Sequence, residues 1–313
     1  MQGMTTTTTG RPGRPGDAVL VTGSATGLGL ETALRLATDG FLVFATVRDL
    51  AQRREVLEAA AQRGANLAVL RLDLTDPQSI EEAVGTVVET TGGIYALINN
   101  GGVGLRGCVE DCSPDEIRHV FETNILGTIA VTQAVLPHMR AAGCGRVVTL
   151  SSVGGRVCGF GVTIYCASKF AQEGLGEGLA VEMAPFGVQS VIVEPGIVKT
   201  TRWSRHRGTA RGALEPSSPY HDLFWASEAE ADAIVERTRT RPADVADTIQ
   251  RALTAEQPRM RYVVGRGAAA AIFARRHLPD SVFERLYFGG QLRRLQRRVD
   301  GKARPAPVAG APR

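Results

Sequence analysis

Residues 18–37 read Ala18-Val-Leu-Val-Thr-Gly23-Ser-Ala-Thr-Gly27-Leu-Gly29-Leu-Glu-Thr-Ala-Leu-Arg-Leu-Ala37. The first five residues form an apolar run typical of a buried strand, and the last eight are apolar at helical spacing. A strand, a glycine-rich turn and a helix in that order describe the first crossover of a nucleotide-binding sheet. The glycines let the backbone approach a pyrophosphate, whose charge lies at the helix N-terminus. This stretch therefore predicts an α/β fold with a dinucleotide site.

The rest of the chain continues this alternation. Strands are predicted near 18–22, 41–47, 67–73, 95–99, 146–151, 189–194 and 260–264. Helices are predicted near 28–38, 51–62, 78–90, 114–142, 163–184, 225–237 and 243–255. Such alternation predicts a doubly wound, mainly parallel sheet in one domain, residues 17–300. Residues 1–16 and 301–313 are expected to be disordered tails because they are rich in Gly, Pro, Thr or Ala.

Composition excludes several other classes of protein. A chain of 313 residues with 43% hydrophobic composition can bury a large core, and a formal net charge of +4 does not favour nucleic acid as a partner. The five cysteines form no C-x-x-C pair, which favours a reduced, cytoplasmic protein. Cys108 and Cys112 have no histidines at ligand spacing, so no metal site is expected. No signal peptide or transmembrane run is evident, and membrane contact is not expected.

The chemistry is indicated by Tyr165-Cys-Ala-Ser-Lys169. A tyrosine and a lysine four residues apart lie on one face of a helix. The ammonium stabilises the phenolate, and so it lowers a phenol pKa that is ordinarily about 10. Only three of the 36 basic residues are lysines, which makes lysine at this position notable. The pair predicts an acid–base group that works near neutral pH.

Three further short motifs follow predicted strands. Asn99-Asn-Gly-Gly102 ends the apolar run 95–98, and Ser151-Ser152 ends the run 146–150, thirteen residues before Tyr165. Pro195-Gly-Ile-Val-Lys-Thr200 ends the run 191–193. Open α/β sheets bind their ligands at the carboxyl ends of the strands, where these motifs are expected to meet.

Together these five motifs, in this order and spacing, resemble the short-chain dehydrogenase/reductase family over about residues 17–265. Further stretches resemble the branch that contains type-1 17β-hydroxysteroid dehydrogenase and the retinol dehydrogenases: residues 44–50, 165–171, 184–188 and 259–262. The resemblance implies a single Rossmann domain with a C-terminal substrate lid near 200–240, and a homodimer. One departure is that the usual N-N-A-G of the family is Asn-Asn-Gly-Gly here, which should be tolerated.

The resemblance also implies roles for individual residues. Tyr165 would exchange the proton, Lys169 would assist it and bind the nicotinamide ribose, Ser152 would bond the substrate oxygen, and Asn124 would steady a water relay to the lysine. Tyr165 and Lys169 are thus expected to contact the cofactor as well. The other expected cofactor-binding residues are Gly23, Ser24, Thr26, Gly27, Leu28, Gly29, Arg48, Asp73, Leu74, Asn100, Gly101, Gly102, Pro195, Gly196, Val198 and Thr200.

The end of the second strand predicts the choice of cofactor. NAD enzymes place an acidic residue there, whereas a basic residue accommodates the 2′-phosphate of NADP. The position holds Val47 and is followed by Arg48, while Asp49 comes one residue too late and is expected to face solvent. NADP is therefore favoured over NAD, and Asp73-Leu74 should receive the adenine.

The predicted lid indicates a class of substrate. It carries Trp203, Tyr220, Leu223, Phe224 and Trp225 in a chain with only 5% aromatic residues. An apolar wall of this kind suits a bulky ketone or alcohol of steroid, retinoid or polyketide type, although some of these residues could instead anchor the lid. Two other functions remain open. One is a non-redox family member, such as an epimerase or dehydratase, and the other is a nucleotide-sensing binding protein.

Overall fold

The computed structural model of the chain describes residues 10–200 and 208–303. Within those ranges seven parallel strands form one sheet, ordered β3-β2-β1-β4-β5-β6-β7. The strands are β1 Ala18–Val21, β2 Leu42–Val47, β3 Leu67–Arg71, β4 Ala96–Asn99, β5 Gly145–Leu150, β6 Val188–Pro195 and β7 Arg261–Val264. The predicted doubly wound α/β fold is confirmed, and the observed strand bounds lie within two residues of the predicted ones.

The described residues form eleven α-helices, which connect the strands and follow the last one. They are α1 Gly27–Thr38, α2 Arg53–Gln62, α3 Pro77–Thr91, α4 Pro114–Phe121, α5 Gly127–Ala142, α6 Thr163–Met183, α7 Arg211–Leu214, α8 His221–Arg237, α9 Pro242–Thr254, α10 Arg266–His277 and α11 Asp280–Ala303. The described helices include none that combines the length and apolar character needed to cross a membrane.

The sheet is buried on both faces. Every residue of β1 and β4 is buried, as expected for central parallel strands covered by helices on either side. One apolar layer lies between the sheet and α1, α2 and α9, and the other lies between the sheet and α3, α5 and α6. These layers fix the strand ends that carry the sequence motifs.

The order of the strands reverses between β1 and β4. From β1 the chain moves outward through β2 to β3, and it then returns to β4 on the other side of β1. In an open parallel sheet this reversal leaves a crevice at the carboxyl ends of the strands. The glycine-rich turn after β1 and the Asn-Asn-Gly-Gly loop after β4 therefore meet there.

The predicted helix 114–142 is observed as one continuous helical run, but its middle is not regular α-helix. Ser113 and Glu116 form a capping box that starts α4, but residues Glu122–Leu126 make one wide π-helical turn before α5 begins. Asn124 lies in that turn with no exposed surface, and its amide bonds to the backbone of Val103. A tertiary contact, which hydrophobic periodicity does not report, thus accompanies the local widening of the helix.

The N-terminal boundary also differs from the expected one. Residues 10–16 lie against the domain: the Gly13 amide donates to the Leu253 carbonyl at 2.8 Å, and the Tyr95 hydroxyl donates to the Arg11 carbonyl at 3.0 Å. Arg11 also pairs with Asp17 at 2.6 Å. The expected disorder is therefore wrong for these residues, because long-range contacts hold a segment whose composition suggests a tail.

The C-terminal part holds more helix than the sequence predicts. Helix α7 lies in a stretch for which no helix is predicted, α8 begins at His221 rather than residue 225, and neither α10 nor α11 is among the predicted helices. Helix α10 is alanine-rich, so intrinsic propensity favours it although only Ala268 is buried and no apolar stripe marks it. Trp203 lies outside the described residues.

Candidate active site

The turn after β1 requires glycine for two different reasons. Gly23 and Gly27 have φ values of +67° and +63°, in the left-handed region that side chains disfavour. Gly29 has no room for a side chain, because a β-carbon there would collide with Asn100 Nδ2 and the Gly23 carbonyl. The Asn100 amide donates to the Thr22 carbonyl at 2.8 Å and to the Gly23 carbonyl at 3.0 Å, which ties the two loops together.

Two hydroxyls shape this turn from inside. The Thr22 hydroxyl accepts from the Asn100 and Gly101 amides at 3.0 and 2.9 Å, and the buried Ser24 hydroxyl donates to the Val21 carbonyl at 2.9 Å. Thr26 occupies the N-cap of α1 without a side-chain capping bond, and Leu28 is half-buried in the first turn. Because Thr26 leaves the first amides of α1 without a side-chain cap, that helix end is suited to an anion.

The end of β2 places two charged residues differently. Val47 is buried, whereas Arg48 and Asp49 are both exposed. Asp49 Oδ1 accepts from the Ala51 amide at 2.9 Å and so starts the short turn Leu50–Gln52. The carboxylate is thus engaged locally, as the expected outward position implies, and Arg48 is the exposed cation at the strand end.

The loop after β3 lies beside the same crevice. Asp73 Oδ1 accepts from the Thr75 amide at 2.9 Å and from its hydroxyl at 2.8 Å. Leu74 packs so closely that a β-carbon at Gly101 would lie 2.8 Å from Leu74 Cδ1. An alanine at position 101, as in the family, would therefore require the end of the Leu74 side chain to move.

Tyr165 and Ser152 flank one point at the edge of the sheet. A β-carbon built on Gly154 would lie 3.4 Å from Ser152 Oγ and 3.4 Å from Tyr165 Cε1. The Gly154 amide donates to Ser152 Oγ at 3.0 Å, which orients the hydroxyl, and both side chains are partly exposed. The serine after β5 and the tyrosine of α6 are thus brought together, as their spacing predicts.

Lys169 lies one turn further along α6, on the same side. Its Nζ is 5.8 Å from the centre of the Tyr165 ring, and the residue is only 6% exposed. The ammonium donates to the Leu150 carbonyl and to Gln172 Oε1, each at 2.8 Å. The sequence motif did not indicate Gln172, although its position three residues after the lysine puts it on the same helix face.

Asn124 bonds through its side chain to the loop after β4 and to α6. Its side-chain amide donates to the Val103 carbonyl at 2.9 Å and to Ser168 Oγ at 3.0 Å, and its oxygen accepts from the Val103 amide at 2.7 Å. These bonds hold the loop after β4. The Asn124 backbone carbonyl accepts from Gln172 Nε2 at 2.8 Å, so its link to the lysine passes through a side chain.

The loop after β6 closes the site. The Gly196 amide donates to the Val264 carbonyl at 2.9 Å, and Pro195 and Val198 are buried while Thr200 is half-buried. Gly102 lies across from Asn124, whose Oδ1 would be 3.0 Å from a β-carbon at that glycine. Most predicted site residues thus lie in loops or first helical turns after the strands, whereas Pro195 ends β6, Lys169 lies in the second turn of α6 and Asn124 lies in the wide turn.

The lid residues are not all part of a substrate wall. Phe224 is 1% exposed and packs in an apolar cluster with Leu105 and Val120, so it anchors α8 to the domain. Trp225 remains 42% exposed, and its indole nitrogen donates to His221 Nε2 at 3.2 Å. The expectation of a common aromatic wall is therefore wrong for Phe224.

A buried group of charges behind α6 was not indicated by any motif. Glu194 on β6 is 1% exposed and pairs with Arg156 at 2.8 Å, and Glu173 pairs with Arg261 at 2.9 Å. Burial raises the pKa of Glu194, and the nearby Glu173 carboxylate adds to that effect. Only the long-range pairing of β6, β7 and α6 brings these residues together.

The chain is similar in sequence to known proteins. The chain is 37% identical over 252 residues to human 17-beta-hydroxysteroid dehydrogenase type 1, which covers 78% of this chain and 76% of that protein. It is 33% identical over 254 residues to human retinol dehydrogenase 8, covering 78% of this chain and 79% of the relative.

Solved structures agree with the fold. An actinorhodin polyketide ketoreductase variant with NADPH has a TM-score of 0.66 and 31% identity, covering 82% of this chain and 92% of that one. A short-chain dehydrogenase/reductase from Burkholderia phymatum in complex with NAD has a TM-score of 0.73 at 22% identity, covering 84% and 93%, a likeness of fold alone. The short chain dehydrogenase family matches residues 17–210. With this sheet, these strand-end motifs and these relatives, the chain belongs to the short-chain dehydrogenase family of oxidoreductases.

Proposed function

We propose that the protein interconverts a ketone and a secondary alcohol on a bulky hydrophobic substrate with NADP, and that Tyr165 is its acid–base residue. The observation that carries this proposal is the convergence of Ser152, Tyr165 and Lys169 at one point of the strand-end crevice. A carbonyl oxygen between the serine and tyrosine hydroxyls would receive two hydrogen bonds where negative charge develops.

The roles follow from the chemistry of each side chain. Tyr165 donates its phenolic proton to the oxygen during reduction and takes it back during oxidation. Ser152 orients the oxygen, and the Lys169 ammonium stabilises the phenolate that the proton transfer leaves. When bound, the nicotinamide supplies or accepts the hydride.

The crevice fits a dinucleotide. Gly29 lacks room for even a β-carbon, and Gly101 has little, so backbone rather than side chains lines the approach to the α1 N-terminus. Asn100 and Gly102 would line the nicotinamide side, with Pro195, Gly196, Val198 and Thr200 opposite. Ser24 would act by shaping the turn, since its hydroxyl is bonded internally.

NADP is proposed because of the charges at the end of β2. The exposed Arg48 guanidinium can pair with a 2′-phosphate, whereas the Asp49 carboxylate is engaged with the Ala51 amide. Relatives of known structure are described with either cofactor, so they do not decide the matter.

The proposed substrate class rests on the lid and on the relatives. Leu105, Val103 and Ile164 belong to an apolar cluster beside the crevice, and Trp225 is exposed on the lid helix. These surfaces suit a multi-ring or polyene ketone better than a sugar. The names of the relatives refer to hydroxysteroids and retinol. We also propose a cytoplasmic homodimer that pairs through α5 and α6.

The test is a screen of ketones with NADPH and NADH, followed by absorbance of the reduced nicotinamide. Steroid, retinoid and aromatic polyketide ketones should oxidise NADPH faster than small hydrophilic carbonyls do. Substrate turnover without net oxidation of the cofactor would instead indicate an epimerase or dehydratase. Cofactor binding without any turnover would indicate a sensing protein.

A further inference from the structure

The Lys169 ammonium is held by a chain of buried groups. It donates to Gln172 Oε1 at 2.8 Å, and Gln172 Nε2 donates in turn to the Asn124 carbonyl at 2.8 Å. Gln172 is 1% exposed and Asn124 has no exposed surface, so solvent does not compete for these bonds. These two hydrogen bonds therefore connect the Lys169 ammonium, through Gln172, to the wide turn between α4 and α5.

The chemistry of the partners fixes the orientation of the Gln172 amide. An ammonium can only donate and a carbonyl can only accept, so the amide oxygen must face Lys169 and the amide nitrogen must face Asn124. The reversed amide would lose both bonds. A weaker contact from Nε2 to Thr128 Oγ1 at 3.5 Å lies on the same side as the Asn124 carbonyl.

The wide turn supplies the acceptor at the far end. In a regular α-helix the interior carbonyls bond to amides of the same helix four residues on. At Glu122–Leu126 the turn is wider, and within it the Asn124 carbonyl accepts from a side chain of α6. Such turns are frequent at functional sites. The glutamine thus links two helices at the lysine.

We propose that Gln172 is a positioning residue for Lys169, which sets the distance and orientation of the ammonium relative to Tyr165. This inference rests on the proposed function of Tyr165 and Lys169. An apolar side chain at this position would remove one acceptor from the lysine and leave the Asn124 carbonyl without its side-chain donor. The ammonium would then be less well fixed, and the Tyr165 phenolate less well stabilised.

The test compares Gln172→Met with Ser190→Ala. Methionine keeps the unbranched shape but neither donates nor accepts strongly. Ser190→Ala removes a different buried bond to the same helix, from Ser190 Oγ to the Gly176 carbonyl at 2.9 Å, far from the lysine along α6. A purely structural role would make the two variants alike in every readout except stability.

The first readout is the ultraviolet titration of tyrosinate, which needs neither substrate nor cofactor. Subtracting the curve of a matched Tyr165→Phe variant isolates Tyr165 in each background. Burial raises the pKa of Tyr95 to about 12 and raises that of Tyr287, and the hydrogen bond to Glu110 raises the pKa of Tyr220, so these three tyrosines ionise above the ordinary tyrosine range. Neither variant replaces any of the ionisable residues on or packed against α6, which are Cys158, Cys166, Glu173, Glu194, Tyr287, Arg156 and Arg261.

We expect the Tyr165 midpoint to rise by about half a unit to one unit in Gln172→Met, and to stay unchanged in Ser190→Ala. With a ketone substrate, kcat should fall about tenfold while the ketone KM changes less than about twofold. A Tyr165 midpoint equal to that of the wild type in folded Gln172→Met would overturn the inference.

A second variant covers the case in which methionine prevents folding. Gln172→Glu retains an acceptor for the lysine but places a carboxylate beside it, so the Tyr165 midpoint should rise further; an unchanged midpoint would again overturn the proposal. If the proposed function fails, the wild type shows no ketone reduction. The titration still decides whether Gln172 positions the lysine, so the two failures are distinguishable.

Discussion

The turn after β1 and the lid after β6 lie at the same edge of the sheet but are held in different ways. The turn is fixed locally, by two left-handed glycines and by hydrogen bonds of Thr22 and Asn100 to nearby backbone. The described part of the lid, from residue 208 on, is fixed by distant contacts, namely the buried Arg106–Glu228 ion pair and the apolar cluster around Phe224. Local chemistry can be recognised in a short stretch of sequence, whereas packing between distant segments cannot.

The largest effect is expected in neither region but between them, at Tyr165. Tyr165→Phe should lower kcat by roughly 10²–10⁴-fold, because it removes the proton donor and keeps the ring. The dissociation constant for NADPH, measured by fluorescence, should change little. Tyr220→Phe is the matched control: its hydroxyl bonds Glu110 at 2.9 Å on the lid surface, so its kcat should remain close to that of the wild type. Activity of Tyr165→Phe within about threefold of wild type would refute the assignment.

Within the lid, two adjacent aromatic residues should behave differently. Phe224→Ala should lower the free energy of unfolding by about 3–5 kcal/mol, because a large buried ring leaves a cavity. Trp225→Ala should cost less than about 1 kcal/mol, since the ring is largely exposed, but should raise the KM for a multi-ring ketone. Urea unfolding and steady-state kinetics measure both effects. Equal losses of stability in the two variants would contradict the assignment of Phe224 as the buried anchor and Trp225 as an exposed residue of the substrate wall.

On the nucleotide side, Arg48→Ala should weaken NADPH binding by about 10–100-fold and leave NADH binding almost unchanged. The control is Arg54→Ala, which removes the same charge from the exposed face of α2, where Arg54 pairs with Glu58 at 2.6 Å. Competitive titration of both cofactors measures the ratio. If the wild type uses NADH and NADPH with equal kcat/KM, Arg48 does not select the cofactor.

The smallest expected effects are changes in stability when alanine replaces a crowded glycine, Gly29, or an uncrowded one, Gly85. Gly29→Ala should destabilise the protein by about 1–3 kcal/mol, because the new carbon collides with Asn100 and Gly23, and it should weaken cofactor binding as well. Gly85→Ala in α3 meets no atom within 4 Å and should stabilise by about 0.5–1 kcal/mol. Thermal unfolding with and without NADPH compares the two, and a neutral Gly29→Ala would show that the turn can open.

The same contrast explains what could be predicted from the sequence. The seven strands and the meeting of Ser152 with Tyr165 were predictable, because short apolar runs and fixed spacings specify them. The wide turn at Asn124, the placement of Phe224 and the ordering of residues 10–16 were not, because each depends on contacts between segments far apart in the chain. Gln172 is an intermediate case. Its position on the helix face of Lys169 was predictable, but its partner, the Asn124 carbonyl, lies in the wide turn, which was not predictable.

The most direct test of the proposed reaction is the transfer of deuterium to a multi-ring ketone from NADPH in which both hydrogens of the reactive nicotinamide carbon are replaced by deuterium. Mass spectrometry of the product, with wild type and Tyr165→Phe side by side, follows the label. We expect one deuterium on the carbinol carbon for each NADPH oxidised by the wild type, and almost none with the variant. Unlabelled product formed without loss of NADPH would contradict it.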